Sequence, residues 1–179
     1  MTCIEVIMRG VEVAGITAIP IAVFWGQILV GRNEATADLL REFHSPEISR
    51  ARGVTENWII ANRVKPSRGK GGIEPGEDIW EQFYIIGRFF FRLNMLRTSR
   101  LINSGKICGL FSHHFIFWWE VYLEGLSDRS AIKHDINALK EWFDLEVSRH
   151  RDWQSRWNTF QTRARELVTP PISPATATQ

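Results

Sequence analysis

Cysteine is scarce in this sequence of 179 residues, which contains only Cys3 and Cys108. Two such distant cysteines give neither a zinc-type pair of thiolates nor a framework of disulfides. The sequence also lacks glycine-rich nucleotide-binding fingerprints and the nucleophile elbow of hydrolases. Its net charge of +2 is too small to indicate nucleic acid binding. We therefore predict no metal, no cofactor and no nucleic acid partner.

Tyrosine is also rare, whereas the other large aromatic residues are abundant. The chain has two Tyr against eight Trp and eleven Phe. Trp and Phe supply much of the buried area in protein cores and interfaces. No long window alternates between apolar and polar residues as a strand does, and three- and four-residue spacings dominate. We predict an all-α fold, with a small helical bundle and a long C-terminal helix.

Charge is absent between Glu12 and Arg32, where nineteen residues read VAGITAIPIAVFWGQILVG. At about 1.5 Å per residue, this run approaches the ~30 Å thickness of a bilayer's hydrocarbon core. A membrane tolerates the mid-run proline and the glycines better than a soluble helix does. We predict a transmembrane helix over about 13–31, with these residues embedded: Ile16, Pro20, Phe24, Trp25 and Ile28.

Two other interpretations of this run are a cleaved signal peptide and a buried soluble helix. Glu5 and Glu12 interrupt the start that a signal peptide would need, and no A-x-A cleavage pattern follows. Glycine and proline weaken the soluble alternative. Only Arg9 precedes the run, and four arginines follow it soon afterwards: Arg32, Arg41, Arg50 and Arg52. This asymmetry predicts an external N-terminus and a cytoplasmic C-terminal domain. Together with the single apolar run, it predicts a single-pass protein of the cell (inner) membrane.

The remaining chain divides into a helical domain over 33–168 and an extended tail over 169–179, rich in proline and threonine. Residues 33–43 continue the first helix. Ser45, Pro46 and Glu47 then predict a new helix start, because they suit the cap, the first position and the first turn. This helix would bury Ile48, Ala51, Val54 or Thr55, Trp58 and Ile59.

A loop over 65–77 separates the second and third helices. Its lysines and arginine could contact anionic lipid headgroups, but a solvated loop is favoured because the basic run is short. The third helix is predicted from about 75 to 103, with Ser104 and Gly105 as its left-handed exit. A fourth follows over about 107–125.

The last helix is predicted to be continuous from Ile132 to Leu167. Apolar residues recur there at alternating steps of four and three, which makes a seam of about five heptads. Glu146 and His150 are the two polar exceptions. Because so long a helix would outgrow a small domain, we expect its far end to contact a partner.

The motif LFSHHFIFWWE, residues 110–120, holds the candidate catalytic residues His113, His114 and Glu120. Adjacent helical residues point about 100° apart, and a zinc pair needs i, i+4 spacing, so the two histidines are not predicted to share a metal. Glu120 is better explained as a carboxylate paired with an arginine than as a general acid. We therefore predict a non-enzymatic protein.

The aromatic residues of this motif surround nearly the whole helix. A helix that is apolar on all sides must be covered on all sides, and a small domain was expected to cover only part of it. The excess predicts a partner-binding surface on the last two helices, comprising Phe117, Trp118, Trp119, Trp153, Trp157 and Phe160.

This order of segments resembles a group of small bacterial single-span membrane proteins that are known only as a domain of unknown function. The resemblance lies in Leu40–Phe43 after the predicted span and in Trp119–Glu120 within the FWWEVYLEGL segment, and it covers most of 10–160. It implies the same architecture, a membrane helix followed by a cytoplasmic helical domain. It implies no activity and no catalytic residue.

Together these patterns predict an accessory or scaffold subunit that contacts membrane lipids and docks on other integral-membrane subunits, such as those of a bioenergetic complex. The alternative is a regulatory or defence protein that forms a homo-oligomer through the C-terminal seam and senses a ligand in the cytoplasm. A membrane-tethered enzyme is the third class, and it depends on His113, His114 and Glu120 alone.

Overall fold

A computed structural model describes residues 26–67, 73–126 and 132–169. These ranges form six α-helices and no strand, which confirms the all-α prediction. The first helix, α1, covers 26–43. It is followed by α2 (Pro46–Asn62), α3 (Glu77–Thr98), α4 (Ser104–Val121), a 3-10 turn (Leu123–Gly125), α5 (Lys133–Ser148) and α6 (Arg151–Val168).

Most of the predicted transmembrane run lies outside the described residues. That applies to Ile16, Pro20, Phe24 and Trp25, whereas Ile28 lies on α1 and is half-buried. Within the described ranges, none of the helices combines the length and the apolar character needed to cross a membrane. The helix is continuous across Gly31 and Arg32, where the run meets the domain.

The start of α2 agrees with its sequence signals. The Ser45 hydroxyl accepts a hydrogen bond from the Ile48 amide at 3.3 Å, and Pro46 occupies the first turn. Of the two candidates for the buried position, Thr55 is buried and Val54 is only half-buried. The Thr55 hydroxyl donates to the Ala51 carbonyl at 2.7 Å, so a polar side chain is tolerated there.

The boundary between α3 and α4 was predicted wrongly. The third helix ends at Thr98, and the left-handed residue is Arg100, with φ of 56°. Ser104 and Gly105 begin α4 instead, because the Asn103 side chain accepts a hydrogen bond from the Lys106 amide at 3.1 Å. Gly105 favours the end of a helix, but the Asn103 N-cap favours the start of one, and the start is what the chain forms at this point.

The single long C-terminal helix was also wrong, because the chain breaks between α5 and α6. His150 has extended backbone angles, φ of −131° and ψ of 108°. The seam continues across the break, since Phe143 on α5 and Trp157 on α6 are both buried and their rings lie 6.3 Å apart. The two shorter helices therefore fold back within the domain.

Helix α4 lies at the centre of the domain. Phe111 contacts Phe43 of α1 with 5.3 Å between ring centroids, and Phe115 contacts Phe90 of α3 at 5.2 Å and Phe143 of α5 at 5.0 Å. The surrounding helices thus cover α4 from several directions, as the apolar character of its surface requires.

Helices α4 and α6 run parallel. Three contacts advance together along both helices: Gly109 with Trp153, His113 with Phe160, and Glu120 with Arg165. We call the end of the domain where α4 begins the basal end and the end where α4 stops the distal end. The Thr36 hydroxyl of α1 accepts a hydrogen bond from the Asn103 amide at 3.0 Å, so α1 passes the basal end at that level.

Candidate functional site

The adjacent histidines of α4 lie close together, with ring centroids 4.1 Å apart. His113 packs edge-on against Phe160 at 4.8 Å, and His114 packs against Phe43 at 4.8 Å. The Nδ1 atom of His113 is buried, and no described protein group hydrogen bonds to it. Aromatic packing, rather than a hydrogen-bonded relay, therefore holds this pair.

Among the described residues, the charges that act on the pKa values of the two histidines belong to basic groups. Burial lowers the pKa of His113, and the charge of Arg156 lowers it further. Burial also lowers the pKa of His114 to about 3, with further contributions from the charges of His113, Arg52 and His44. Both imidazoles are consequently neutral at physiological pH, and these surroundings disfavour binding of a metal cation.

No group of three His, Cys, Asp or Glu side chains within the described ranges is arranged to hold a metal ion. Helical geometry predicts that the two histidines point in different directions, but their rings contact each other. His44, in the turn between α1 and α2, and Arg52 of α2 join the same cluster in the folded chain. The spacing of these residues in the sequence does not indicate that their side chains lie together.

Glu120 is held by two side chains of α6. Arg165 donates to it through Nε at 3.1 Å and through Nη2 at 2.9 Å, and Gln161 donates at 2.6 Å. Burial raises the pKa of Glu120, but these hydrogen bonds and the positive charges of Arg165 and Lys65 outweigh that effect and hold the pKa below its ordinary value. An ionised carboxylate with three hydrogen bonds fastens α4 to α6 and is poorly suited to act as a general acid.

The candidate partner-binding aromatic residues are largely covered by the chain itself. Phe117, Trp118 and Trp157 are 5%, 1% and 6% exposed, respectively. Trp119, Trp153 and Phe160 are half-buried and pack against the same core. The expectation that this domain could not cover its aromatic surface is wrong, because α4 is central and α6 folds back onto it. This burial argues against direct contact between Trp118 and a partner in this conformation.

Cys108 of α4 is buried and should be chemically inert. Burial raises the pKa of its thiol to about 12, with a further increase from the charge of Glu146. Because the thiolate is the reactive form, we expect a Cys3→Ser chain to resist a maleimide reagent until it unfolds. Labelling in native buffer and in denaturant, followed by intact mass measurement, checks this. Rapid native labelling would contradict it.

A different surface has the composition of a contact site, and it lies at the basal end. Leu29 and Val30 of α1 are 54% and 56% exposed, and Leu101 in the α3–α4 turn is 53% exposed. Arg32 and Arg100 border the same open groove of about 270 Å³ as Leu29. No single stretch of the sequence indicates this surface, because its residues come from α1 and from the α3–α4 turn.

The comparisons with known proteins add no relative. No family model, curated protein or solved structure matches this chain. The resemblance to single-span proteins of unknown function therefore stays a prediction.

Proposed function

We propose that this chain is a membrane-anchored accessory subunit, whose N-terminal apolar run inserts in the bilayer and whose helical domain docks on a neighbouring integral-membrane subunit. The observation that carries the anchoring is the exposure of α1 where it leaves the domain. Leu29 and Val30, the last apolar residues of the run, are more than half exposed, although Leu39 and Phe43 further along the same helix are buried.

The position of α1 supports this proposal. Thr36 is level with the start of α4, and seven residues separate it from Leu29. At about 1.5 Å per residue, Leu29 therefore lies roughly 10 Å along the helix from Thr36, on the N-terminal side. Apolar side chains exposed there gain free energy by entering lipid, since about 25 cal/mol is gained for each Å² of apolar surface removed from water.

The docking part of the proposal is supported by an open groove between α2 and α3, with a volume of about 450 Å³. Apolar side chains line part of it, including Ile85, Phe91 and Met95. Charged side chains of both signs also line it: Glu42, Glu47, Arg88 and Arg92. An apolar patch with a polar rim is typical of protein interfaces.

Gentle detergent extraction from its native host and native mass measurement test this function. We expect the chain to resist alkaline washing of the membranes and to co-purify with a different integral-membrane protein. Met95→Glu should reduce that association, because Met95 is 46% exposed in the groove and a carboxylate there would have to be desolvated. Leu145→Glu is the matched control, since Leu145 is 53% exposed on α5 outside the groove.

Two outcomes would overturn the proposal. Release of the chain by alkaline washing would remove the membrane anchor. A native mass of the monomer alone would remove the accessory role, and a homo-oligomer would favour the regulatory alternative. An unchanged association of the Met95→Glu variant would exclude the α2–α3 groove as the docking surface.

A further inference from the structure

We infer that the basal end of the domain is a lipid-contact surface that binds the anionic headgroups of the membrane holding the N-terminal run. This inference rests on the proposed membrane anchoring and adds the surface, its orientation and its lipid class. The contact consists of the exposed side chains Leu29, Val30 and Leu101, together with the cations Arg32, Arg100 and Lys106.

Two hydrogen bonds fix the α3–α4 turn beside α1. The Asn103 amide donates to the Thr36 hydroxyl at 3.0 Å, and the Lys106 ammonium donates to the Asn33 side chain at 3.1 Å. The turn therefore cannot move away from α1 without breaking both. If α1 leads into a bilayer, this turn lies at the membrane surface, and Leu101 is its exposed apolar side chain.

The cations at the basal end have no carboxylate partner among the described residues. Lys106 hydrogen bonds to a neutral amide, and Arg32 has a buried Nε that no described protein group satisfies. Arg100 takes part in none of the ion pairs between described residues. On the same segment of α1, Glu34 is the nearby acidic residue, and it too has no such ion pair.

At the distal end, by contrast, the cations do have partners. Lys65 pairs with Glu124 at 2.6 Å, and Lys133 donates to the Glu124 carbonyl at 2.6 Å. The loop that begins at Lys65, the stretch whose sequence suggested lipid contact, therefore starts at the end opposite to α1's exposed apolar residues. Unpaired cations and exposed aliphatic side chains occur together at the basal end, and this combination fits an anionic interface.

The test uses the full chain with Cys3→Ser and Leu101→Cys, labelled at residue 101 with an environment-sensitive fluorophore and inserted in nanodiscs. One set contains phosphatidylcholine alone, and the other contains phosphatidylcholine mixed with phosphatidylglycerol. We expect a blue-shifted emission in the anionic discs, weakened by added salt because exposed charges are screened. Gly125→Cys at the distal end is the matched position, because a side chain added there meets no neighbour within 4 Å and the Lys65–Glu124 pair is kept. It should report water in both sets.

Charge variants complete the test. Arg100→Gln with Lys106→Gln should abolish the difference between the two lipid compositions. Arg163→Gln, on α6 beside Phe117 near the distal end of α4, should preserve it. Emission from a label at residue 101 that matches emission from a label at residue 125 in both disc types would overturn the inference while leaving the anchor intact. Failure of the chain to insert in any disc would instead overturn the proposed function, so the two failures are distinguishable.

Discussion

Replacing Trp118 with alanine should lower the free energy of unfolding by about 3–5 kcal/mol, the usual cost of truncating a buried Phe or Trp. Trp118 is among the largest fully buried side chains, at 1% exposure, and it packs edge-on against Phe117 at 5.1 Å. Removing the buried indole leaves a cavity in the core, which the surrounding side chains fill only in part. Urea unfolding followed by circular dichroism measures the loss.

The matched control for that variant is Tyr84→Ala, which removes an aromatic side chain that is 53% exposed on α3. Exposed substitutions of this kind usually change stability by less than about 0.5 kcal/mol. If Trp118 were instead a residue that contacts a partner, Trp118→Ala would leave the unfolding midpoint unchanged and weaken association. That outcome would restore the sequence-based interpretation of the aromatic residues and contradict the central position of α4.

Local sequence signals predicted those parts of the fold that local chemistry determines. Ser45 and Pro46 predicted where α2 begins, because a hydroxyl cap and a preset backbone angle act within one helical turn. The heptad seam predicted which residues of α5 and α6 face the core, such as Phe143 and Trp157. These predictions required no knowledge of what the buried face contacts.

The direction of the chain was harder to predict than its periodicity. A seam of alternating four- and three-residue steps records which side of a helix is apolar, and it stays the same when the chain turns back at Arg149 and His150. Neither residue is a glycine or proline, so no breaker marked the turn. The prediction of a partner at the far end depended on a single long helix that outgrows the domain. The two shorter helices instead pack within the domain.

For the candidate site residues too, the sequence predicts local features but not which residues of other helices they contact. Glu120 was correctly expected to pair with an arginine, but only the folded chain identifies Arg165 and Gln161 as its partners. The cluster around His114 combines residues of separate helices, including Arg52, and helical spacing within α4 could not reveal it. The basal surface likewise joins α1 to the α3–α4 turn across more than sixty residues of sequence, as shown by the contact of Thr36 with Asn103.

The histidine cluster should make the domain sensitive to mild acid. The folded state lowers the pKa of His114 from its ordinary value of 6.5 to about 3, chiefly by burial. Between those values the unfolded chain binds a proton that the folded chain does not, so stability falls as the pH falls. One such group contributes up to about 1.4 kcal/mol per pH unit, which gives a loss of about 2 kcal/mol between pH 6.5 and pH 4.5. His113, whose pKa is also lowered, adds to this loss.

Urea unfolding at several pH values in this window tests the prediction. His114→Gln and His114→Phe should both flatten the dependence of stability on pH, because neither replacement titrates there; using both protects the test from the failure of one variant to fold. His134→Gln, on the exposed surface of α5, is the control and should keep the wild-type slope. Glu120 contributes little to the slope in this window. Its pKa is lowered in the folded state, so its stabilising effect is lost mainly as the pH falls below the ordinary value of 4.5. A slope that is equally steep without His114 would show that other groups cause the acid sensitivity.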